Sequence, residues 1–300
     1  MPGLEIHPLS ELRDEAARLL GERFARQRAA EPLLPDVSDF GAHLPDDDGV
    51  VATRDGRPVA YLAGAVDGDG VARVGFGGVA ASEPEAVRDL YAVMAERWDV
   101  SRFVVAVPAS DGELIDAVFR LAFGCQFMWA VRETDAVGDG RAGLHHIRLA
   151  TPDDLEAVAE LDRRLWSLQA RPPSYSGATA PTREAFLEEW REVWEEPGVY
   201  TLFLAEQDGR VVGHLLLYRR PDGDLRVPAD NIDLANAVTL DDVRGTGVGV
   251  ALTDHALAWA RDNGFRSMTV DWRSVNLLSS RFWPGRGFRP QYLRLYRAVP

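Results

Sequence analysis

Residues 241–250 read Asp-Asp-Val-Arg-Gly-Thr-Gly-Val-Gly-Val, with three glycines in alternate positions. The preceding residues, 231–239, alternate between two faces with the period of a half-buried β-strand. Residues 251–261 then place Leu252, Ala256 and Trp259 on one face of a helix. Glycine lets an anion approach the backbone closely, and the free N–H groups at a helix N-terminus attract negative charge. The sequence therefore predicts a strand, an anion-binding loop and a helix, in that order.

Two familiar nucleotide-binding loops do not fit this stretch. The dinucleotide-binding fingerprint requires a third glycine at the position of Val250, and it usually follows the first strand of a parallel sheet. The phosphate-binding loop of many ATPases and kinases requires a lysine, and all 33 basic residues of this chain are arginines. The absence of lysine also excludes Schiff-base chemistry. A loop of the form Arg-Gly-x-Gly-x-Gly remains.

This loop resembles the Arg/Gln-x-x-Gly-x-Gly/Ala segment of the GCN5-related N-acetyltransferases, the GNAT family. A second feature agrees with that resemblance: Asn276 is followed by an aromatic helix and by Gly287-Phe288. A predicted hairpin, the glycine loop and the Asn-to-Gly-Phe helix occur in the family's order, and the resemblance covers nearly all of residues 146–300. It implies an α/β (α+β) fold with a mixed, mostly antiparallel sheet flanked by helices, and acetyl-CoA as the cosubstrate.

The resemblance also implies roles for particular residues. The backbone of residues 237–239 is expected to pair with the pantetheine arm, and the loop from Gly245 to Val250 to hold the pyrophosphate beside the charge of Arg244. Asn276 is expected to bind the cofactor arm or to cap the following helix, and Trp283 to line the thioester site. The expected cofactor-binding residues are Ala237, Val238, Thr239, Arg244, Gly245, Thr246, Gly247, Val248, Gly249, Val250, Asn276 and Trp283.

Acetyl transfer to a primary amine requires a proton acceptor, because an amine with a pKa of about 10 is almost fully protonated at neutral pH. Asp271 occupies the position where some family members carry a catalytic glutamate, so we expect it to be the base. The alternative is a surface residue paired with an arginine such as Arg273. Asp233, on the strand before the glycine loop, is the second candidate.

The leaving thiolate also needs a proton, and in the family a tyrosine seven residues after the asparagine usually supplies it. Trp283 stands at that position, so the general acid is left open among Tyr292, Tyr296, Ser279 and water. Direct attack without a covalent enzyme intermediate is expected, because the single cysteine, Cys125, lies in the other half of the chain.

The chain carries an internal repeat. Residues 52–62 align without gaps on residues 205–215, and each segment predicts a hairpin around an Asp-Gly turn. We therefore expect two GNAT-like domains, one in residues 1–140 and one in residues 141–300, joined by a glycine-rich linker at 134–143. The first half has Glu83 and Glu85 where the second has its glycine loop, so it is expected to be degenerate and to bind no cofactor.

Composition narrows the partners further. The 300 residues carry a net charge of −14. Residues 1–140 hold 13 arginines against 25 acidic residues, and residues 141–300 hold 20 against 22. Such acidity disfavours nucleic acid and favours a cationic acceptor. No membrane span or secretion signal is predicted, so the cytoplasm is the expected compartment.

No metal site is expected. The histidines, including His214 on a strand and His255 on a helix, lack metal-ligand spacing and are expected to be structural residues with satisfied hydrogen bonds. Trp190 is one of several aromatic residues expected near the acceptor pocket. The resulting prediction is an N-acetyltransferase acting on a small-molecule primary amine. The alternatives are a CoA-binding regulatory or scaffold protein and a transferase that uses another acyl-CoA. The identity of the acceptor and the oligomeric state stay open.

Overall fold

A computed structural model describes residues 3–46, 48–135, 145–175, 181–196, 198–221 and 223–299. The chain forms two compact units. Unit 1 comprises residues 1–129, 223–228 and 290–300, and unit 2 comprises residues 130–222 and 229–289. The predicted halves, 1–140 and 141–300, differ from these units at the chain's last strand, which lies in unit 1. Most of the expected linker, from residue 136 onward, lies outside the described residues.

Unit 1 contains one sheet with helices on both faces. Its elements are β1 (Leu4–Pro8), α1 (Arg13–Ala30), β2 (Asp48–Arg54), β3 (Arg57–Val66), β4 (Val71–Val74), β5 (Val79–Ala81), α2 (Ala86–Trp98), β6 (Arg102–Pro108), α3 (Gly112–Phe119) and the first part of β7 (Gly124–Glu133). The strand order is β1-β2-β3-β4-β6, and β4 and β6 are the parallel pair. One apolar cluster packs α2 and α3 against the sheet, and another packs α1 against it.

Unit 2 repeats this arrangement. Its elements are β8 (His146–Leu149), α4 (Leu155–Gln169), α5 (Arg183–Glu195), β9 (Tyr200–Gln207), β10 (Arg210–Tyr218), β11 (Asn231–Thr239), α6 (Val248–Asp262), β12 (Ser267–Arg273) and α7 (Leu277–Gly285). The strand order is β8-β9-β10-β11-β12, with β11 and β12 as the parallel pair. The same order and the same directions in both units agree with the sequence repeat.

The last strand, β13 (Arg289–Ala298), pairs antiparallel with β6 over seven residue pairs from Tyr292–Pro108 to Ala298–Arg102. The side chains of Tyr292 and Leu295 are fully buried in the two apolar clusters of unit 1. This long-range pairing explains why the sequence-based boundary differs from the structural one.

Both Asp-Gly turns form as predicted. Asp55 and Gly56 have φ of 51° and 72°, and Asp208 and Gly209 have φ of 52° and 73°. Positive φ at both central residues is the condition for a type I′ turn, whose twist matches that of the flanking strands. The turns set the registers of the β2–β3 and β9–β10 hairpins.

Two helix layers enclose the unit 2 sheet. On one face, Val158 of α4 and Trp190 of α5 pack against Leu204 and Leu216. On the other face, the ring of Phe203 meets His255 and Trp259 of α6 at centroid distances of 4.8 and 5.9 Å. These layers hold β10 and β11 between the helices.

The parallel pair of unit 2 separates before its strands end. The β11–β12 ladder runs from Asn231–Ser267 to Leu234–Val270, whereas β11 continues to Thr239 and β12 to Arg273. On its other side, β11 keeps pairing with β10, with a register shift that leaves Ala235 as an extra residue. Such a bulge bends a strand. An opening between β11 and β12 follows.

Unit 1 differs at the corresponding place. The strand β4 ends at Val74, and a turn at residues 75–78 separates it from β5. The cause is close packing, because a Cβ on Gly77 would lie 2.1 Å from the carbonyl oxygen of His43. The following helix, α2, begins after Glu85, whose carboxylate pairs with Arg88 and Arg120. This helix start carries acidic side chains where unit 2 has glycines.

Candidate functional site

The glycine loop forms the N-terminus of α6. Gly245 and Gly247 adopt φ of 80° and 97°, a region that is costly for residues with a Cβ. The backbone can therefore turn sharply and begin the helix at Val248. The first turn of α6 has neither a side-chain cap nor an acidic residue. The N–H group of Ala251 donates to the carbonyl of Gly247, whereas those of Val248, Gly249 and Val250 have no acceptor among the described residues and are left for an external one.

A cavity of about 390 Å³ adjoins this helix start and the free edge of β11. Its volume is within the range of small-molecule sites. The walls come from α4, β10, β11, the glycine loop, α6 and α7, and all lie in unit 2. The lining residues are Leu165, Leu168, His214, Leu215, Ala237, Val238, Thr239, Val243, Arg244, Gly245, Gly247, Val248, Gly249, Val250, Leu252, Thr253, Asn276, Leu278, Ser279, Phe282 and Trp283.

The structure thus brings together all the expected cofactor-binding residues except Thr246. The hydroxyl of Thr246 donates to the carbonyl of Val243 at 2.7 Å. Arg244 lines the cavity and forms an ion pair of 2.6 Å with the exposed Asp241. An anion in the loop would therefore compete with Asp241 for the guanidinium.

Asn276 fulfils the second of its two expected roles. Its side-chain oxygen accepts hydrogen bonds from the backbone N–H groups of Leu278 (3.1 Å) and Ser279 (3.3 Å), so it caps α7. The same residue lines the cavity.

Trp283 also lines the cavity, but its ring is largely a packing element. It is 7% exposed and meets Phe282 and Phe288 edge to face. Of the alternative proton donors, Ser279 lines the cavity. Tyr292 is buried in unit 1, where burial raises the pKa of its phenol.

Neither of the expected catalytic carboxylates lines the cavity. Asp233 is 2% exposed and serves as an ion-pair partner: it accepts from Arg220 and, at 2.7 Å, from the hydroxyl of Thr269. Asp271 is exposed on β12. Burial lowers the pKa of Arg273, and the negative charge of Asp271 raises it. This electrostatic interaction agrees with the alternative in which Asp271 is a surface residue paired with Arg273. The catalytic roles of both residues stay predictions.

A polar cluster that was not expected from the sequence lies at the α4 side of the cavity. The Asp162 carboxylate of α4 accepts hydrogen bonds from the indole of Trp190 (3.0 Å) and the amide of Asn236 (2.8 Å). The imidazole Nε2 of His214 lies 3.7 Å from an oxygen of Asp162. A signal was present in the sequence: Asp162 falls within the apolar face that Val158 begins on α4, where a carboxylate is unexpected.

The protonation of this cluster is shifted by burial. Loss of solvation raises the pKa of Asp162 to about 6, against the two hydrogen bonds that favour the carboxylate. The same cause lowers the pKa of His214 to about 4. Within the described part of the chain, neither ring nitrogen of His214 makes a hydrogen bond of normal geometry, although the side chain of Asn236 lies close enough to favour the protonated ring.

Two other features are absent from the described residues. No group of three or more His, Cys, Asp or Glu side chains there could hold a metal ion. No helix in those ranges is both long and apolar enough to cross a membrane.

The residues that line the cavity fall within a segment that matches a known protein family. The profile of the Acetyltransferase (GNAT) family matches residues 160–288. Uncharacterized N-acetyltransferases of Mycobacterium tuberculosis and Mycobacterium bovis are each 30% identical over 96 residues, which is 32% of this chain and 57% of theirs. The chain thus spans little more than half the length of these relatives.

Solved structures resemble the whole chain in fold. A GCN5-related N-acetyltransferase from Sphaerobacter thermophilus has a TM-score of 0.60 at 14% identity and covers 99% of this chain and 96% of its own. A tandem GNAT protein from the clavulanic acid biosynthesis pathway has a TM-score of 0.50 at 16% identity and covers 99% of both chains. The family profile matches most of the cavity-bearing unit, and the fold of these solved structures extends over both units, which supports a GNAT family member.

Proposed function

We propose that this protein is an acyltransferase that moves an acetyl group from acetyl-CoA to a primary amine of a small molecule. The observation that carries the proposal is the junction of an opened parallel strand pair with an uncapped, glycine-started helix in one cavity. Such a junction offers hydrogen bonds for an extended amide-containing arm and a positive helix end for a diphosphate.

The residues present fit coenzyme A at the diphosphate end. A Cβ added at Gly245 would meet no atom within 4 Å, so the loop is open on the side of its turn. The N–H groups of residues 248–250 point out of the helix start, and Arg244 adds a positive charge. Together they would hold the diphosphate without a lysine or a metal ion.

The backbone of β11 fits the pantetheine arm. Beyond Leu234 the strand has lost its parallel neighbour, and its peptide groups on that side are available to a ligand. The arm carries amide groups, so it can take the place of the missing strand. This arrangement would direct the thioester toward the α4 side of the cavity, where His214 and Leu165 lie.

The acyl transfer itself would proceed by direct attack of the amine in a ternary complex. Cys125 lies in the part of β7 that belongs to unit 1 and does not line the cavity, so no cysteine is placed to form an acyl-enzyme. The acyl-CoA supplies an activated carbonyl carbon, and the protein aligns it with the nitrogen.

The first test pairs two glycines of matched geometry. Gly245 and Gly264 have φ of 80° and 85°, and neither would bring a Cβ within 4 Å of another atom. Gly245→Asp should abolish acetyl-CoA binding measured by calorimetry, because it puts negative charge in the diphosphate site. Gly264→Asp carries a similar backbone strain outside the cavity and should bind as the unmodified protein does. Equal binding by both variants would contradict the proposal.

The second test follows free thiol while the protein is incubated with acetyl-CoA and a panel of polyamines, amino acids, aminoglycosides and peptide amino termini. Sustained thiol release that depends on an amine supports the transferase. The same panel with longer acyl-CoA substrates tests acyl specificity, since the cavity walls are mainly aliphatic and aromatic.

A second function has one observation in its favour. Trp283 replaces the tyrosine that resemblance to the family leads one to expect as proton donor, and an indole N–H is not a useful acid. A CoA-binding regulatory protein would bind acetyl-CoA tightly and release no thiol with any acceptor. That result would replace the transferase by the regulatory function.

A further inference from the structure

Asp162 is an unusual buried carboxylate for this protein. The described residues contain three buried aspartates, Asp162, Asp233 and Asp254, which are 8%, 2% and 5% exposed. Asp233 is paired with Arg220 and Asp254 with Arg286. Within the described ranges, no arginine lies within 4 Å of the oxygens of Asp162, and the basic side chain that does is the imidazole of His214, whose pKa of about 4 leaves it uncharged near neutral pH. Buried charges without a partner are costly, so such a site needs another explanation.

The hydrogen bonds of Asp162 do not use its full capacity. Trp190 donates to one oxygen and Asn236 to the other, whereas an ionised carboxylate has about four acceptor positions. The two donors come from different elements, α5 and β11, and fix the orientation of the carboxylate from both sides. The carboxylate is therefore rigidly held but incompletely satisfied.

His214 connects this carboxylate to the cavity. Its side chain is fully buried, lines the cavity, and lies opposite Val238 on the strand whose free edge fits the pantetheine arm. Because Nε2 is the nitrogen directed toward Asp162, Nδ1 remains for a ligand. A buried imidazole with two unpartnered nitrogens beside a cavity lacks the hydrogen bonds that normally compensate burial.

We propose that His214 and Asp162 form the site that receives the acceptor amine and its proton. The ammonium group docks against the imidazole of His214, which is the catalytic residue. Asp162 acts through His214 and is the positioning residue that takes up the displaced positive charge. This inference rests on the proposed acetyl transfer and assigns its base to residues other than Asp233 and Asp271.

The proton transfers balance as follows. One ammonium proton moves to Nδ1 of His214, and the proton on Nε2 of the same ring moves to Asp162. The nitrogen lone pair then forms the C–N bond with the acyl carbon, and the C–S bond breaks with its electron pair on sulfur. A second proton leaves nitrogen for the thiolate. Release of the proton from Asp162 to solvent and return of the ring proton from Nδ1 to Nε2 restore the protein, so the products are an amide, a thiol and one proton.

The separation of 3.7 Å between His214 Nε2 and Asp162 is longer than a hydrogen bond. Hydrogen bonds of this kind are often long before the substrate binds and shorten in the complex. A cationic amine would draw the imidazole and the carboxylate together, because it restores the positive charge that the cluster lacks.

The groups that face the pair define its pH dependence. From α5, Glu189 raises the pKa of Asp162 by its charge, and Trp190 lowers it by donating a hydrogen bond. From β11, Asn236 favours the ionised form of Asp162 and the protonated form of His214. With Asp162 ionised above a pH of about 6, the cluster accepts an ammonium ion over the whole neutral range.

The experiment compares pH–rate profiles for ethylamine, a simple alkylamine with a pKa of about 10. In the unmodified protein, kcat/KM for total ethylamine should change less than about threefold between pH 7 and 9, because the protein removes the proton. In Asp162→Asn, only amine that is already uncharged reacts. At pH 7, kcat/KM of the variant should be about 100-fold lower than that of the unmodified protein, which is within the usual contribution of a general base. As the pH is raised, kcat/KM of the variant should increase about tenfold per pH unit.

A second acceptor separates a lost base from a damaged site. Hydroxylamine is weakly basic and is uncharged at pH 8, so it needs no base. Asp162→Asn should lower its rate less than about threefold at that pH. An equal loss with ethylamine and hydroxylamine would mean that Asp162 only maintains the fold, and would overturn the inference.

The controls keep the test decisive. Glu160→Gln makes the same carboxylate-to-amide change on α4 at a partly exposed pair with Arg163 and Arg164, outside the cavity lining, and should leave the profile unchanged. Acetyl-CoA binding should stay within twofold in every variant. If Asp162→Asn does not fold, His214→Gln replaces it and should show the same new slope. A flat profile in a folded variant overturns the inference.

The result also distinguishes the two proposals. Absence of thiol release by the unmodified protein with every amine overturns the proposed acetyl transfer, and with it this inference. Amine-dependent release that is unaffected by Asp162→Asn and His214→Gln overturns the inference alone.

Discussion

At the scale of single residues, the buried carboxylates of unit 2 have two kinds of partner. Arginine neutralises Asp233 and Asp254, which makes these ion pairs part of the architecture. Asp162 has only neutral hydrogen-bond donors, so folding raises its pKa to about 6. When folding raises the pKa of a carboxyl group, ionisation of that group lowers the free energy of unfolding.

The sign of this effect gives a stability prediction. The folded protein holds the Asp162 proton up to a pH of about 6, whereas an unfolded chain releases it near pH 4. Stability is therefore lost as the pH rises through this window, and the loss persists above it. Asp162→Asn removes the penalty, while a flip of the Asn236 amide preserves the hydrogen bonds.

We expect Asp162→Asn to raise the free energy of unfolding by about 1 kcal/mol more at pH 7.5 than at pH 5. Urea unfolding followed by tryptophan fluorescence measures the difference. Glu160→Gln should show no such pH-dependent gain. A gain for Asp162→Asn that is the same at both pH values would show that ionisation is not its cause.

Asn276 has a structural role that can be separated from ligand binding. Asn276→Ala removes the cap of α7 and should cost about 1 kcal/mol. Thr182→Ala removes the corresponding cap of α5, where Thr182 accepts from Ala185, and should cost a similar amount.

Calorimetry with acetyl-CoA distinguishes the two positions. Because Asn276 lines the cavity and Thr182 does not, only Asn276→Ala should weaken binding. Equal binding by both variants would limit Asn276 to capping.

At the scale of elements, the site depends on how closely β10, β11 and α6 approach one another. A Cβ on Gly213 of β10 would lie 2.9 Å from the carbonyl oxygen of Val238 and 3.3 Å from Leu252 of α6. A Cβ on Gly249 would meet Phe282 at an ordinary 3.5 Å. The two glycines therefore have different reasons to be glycine, and of the two Gly249 lines the cavity.

Alanine substitutions should reveal this difference. Gly213→Ala should destabilise the protein by about 1–3 kcal/mol, because it forces backbone apart in a packed layer. Gly249→Ala should be neutral or stabilising by up to about 1 kcal/mol, since alanine favours a helix, and it should retain acetyl-CoA binding. Thermal unfolding and calorimetry measure both effects. A more harmful change at Gly249 than at Gly213 would refute this account of the packing.

At the scale of the whole molecule, chain order and structural units do not coincide. The strand β13 at the C-terminus completes unit 1 by pairing with β6. Without it, the edge of β6 and the neighbouring apolar side chains would be exposed, and exposed strand edges promote aggregation.

We expect a fragment of residues 1–133 to be unfolded or aggregated. The same fragment with residues 289–300 attached through a flexible linker should fold, because the linker supplies the missing strand at high local concentration. Circular dichroism and size-exclusion chromatography report the outcome. A native-like fragment 1–133 without the added strand would show that β13 is dispensable for unit 1.

The features that the sequence predicted are those that depend on neighbouring residues. The Asp-Gly turns require positive φ at two adjacent positions, and the glycine loop requires a turn directly before a helix, so both leave a local pattern. The residues that the family resemblance predicted to bind the cofactor line the cavity, apart from Thr246, and their role in binding stays a prediction. The repeated order of elements also predicted the common strand order of the two units.

Tertiary structure alone decided which side chains gather around Asp162 and where the last strand belongs. Asn236 reaches Asp162 across 74 positions of sequence, and Trp190 reaches it across 28. Residue spacing predicts neighbours within a helix or strand, whereas burial and the pairing of distant groups depend on how those elements pack. For that reason the sequence suggested Asp271, by resemblance to the family, and Asp233 on β11 as bases, but gave no sign that the buried Asp162 carboxylate of α4 lies 3.7 Å from His214, which lines the cavity.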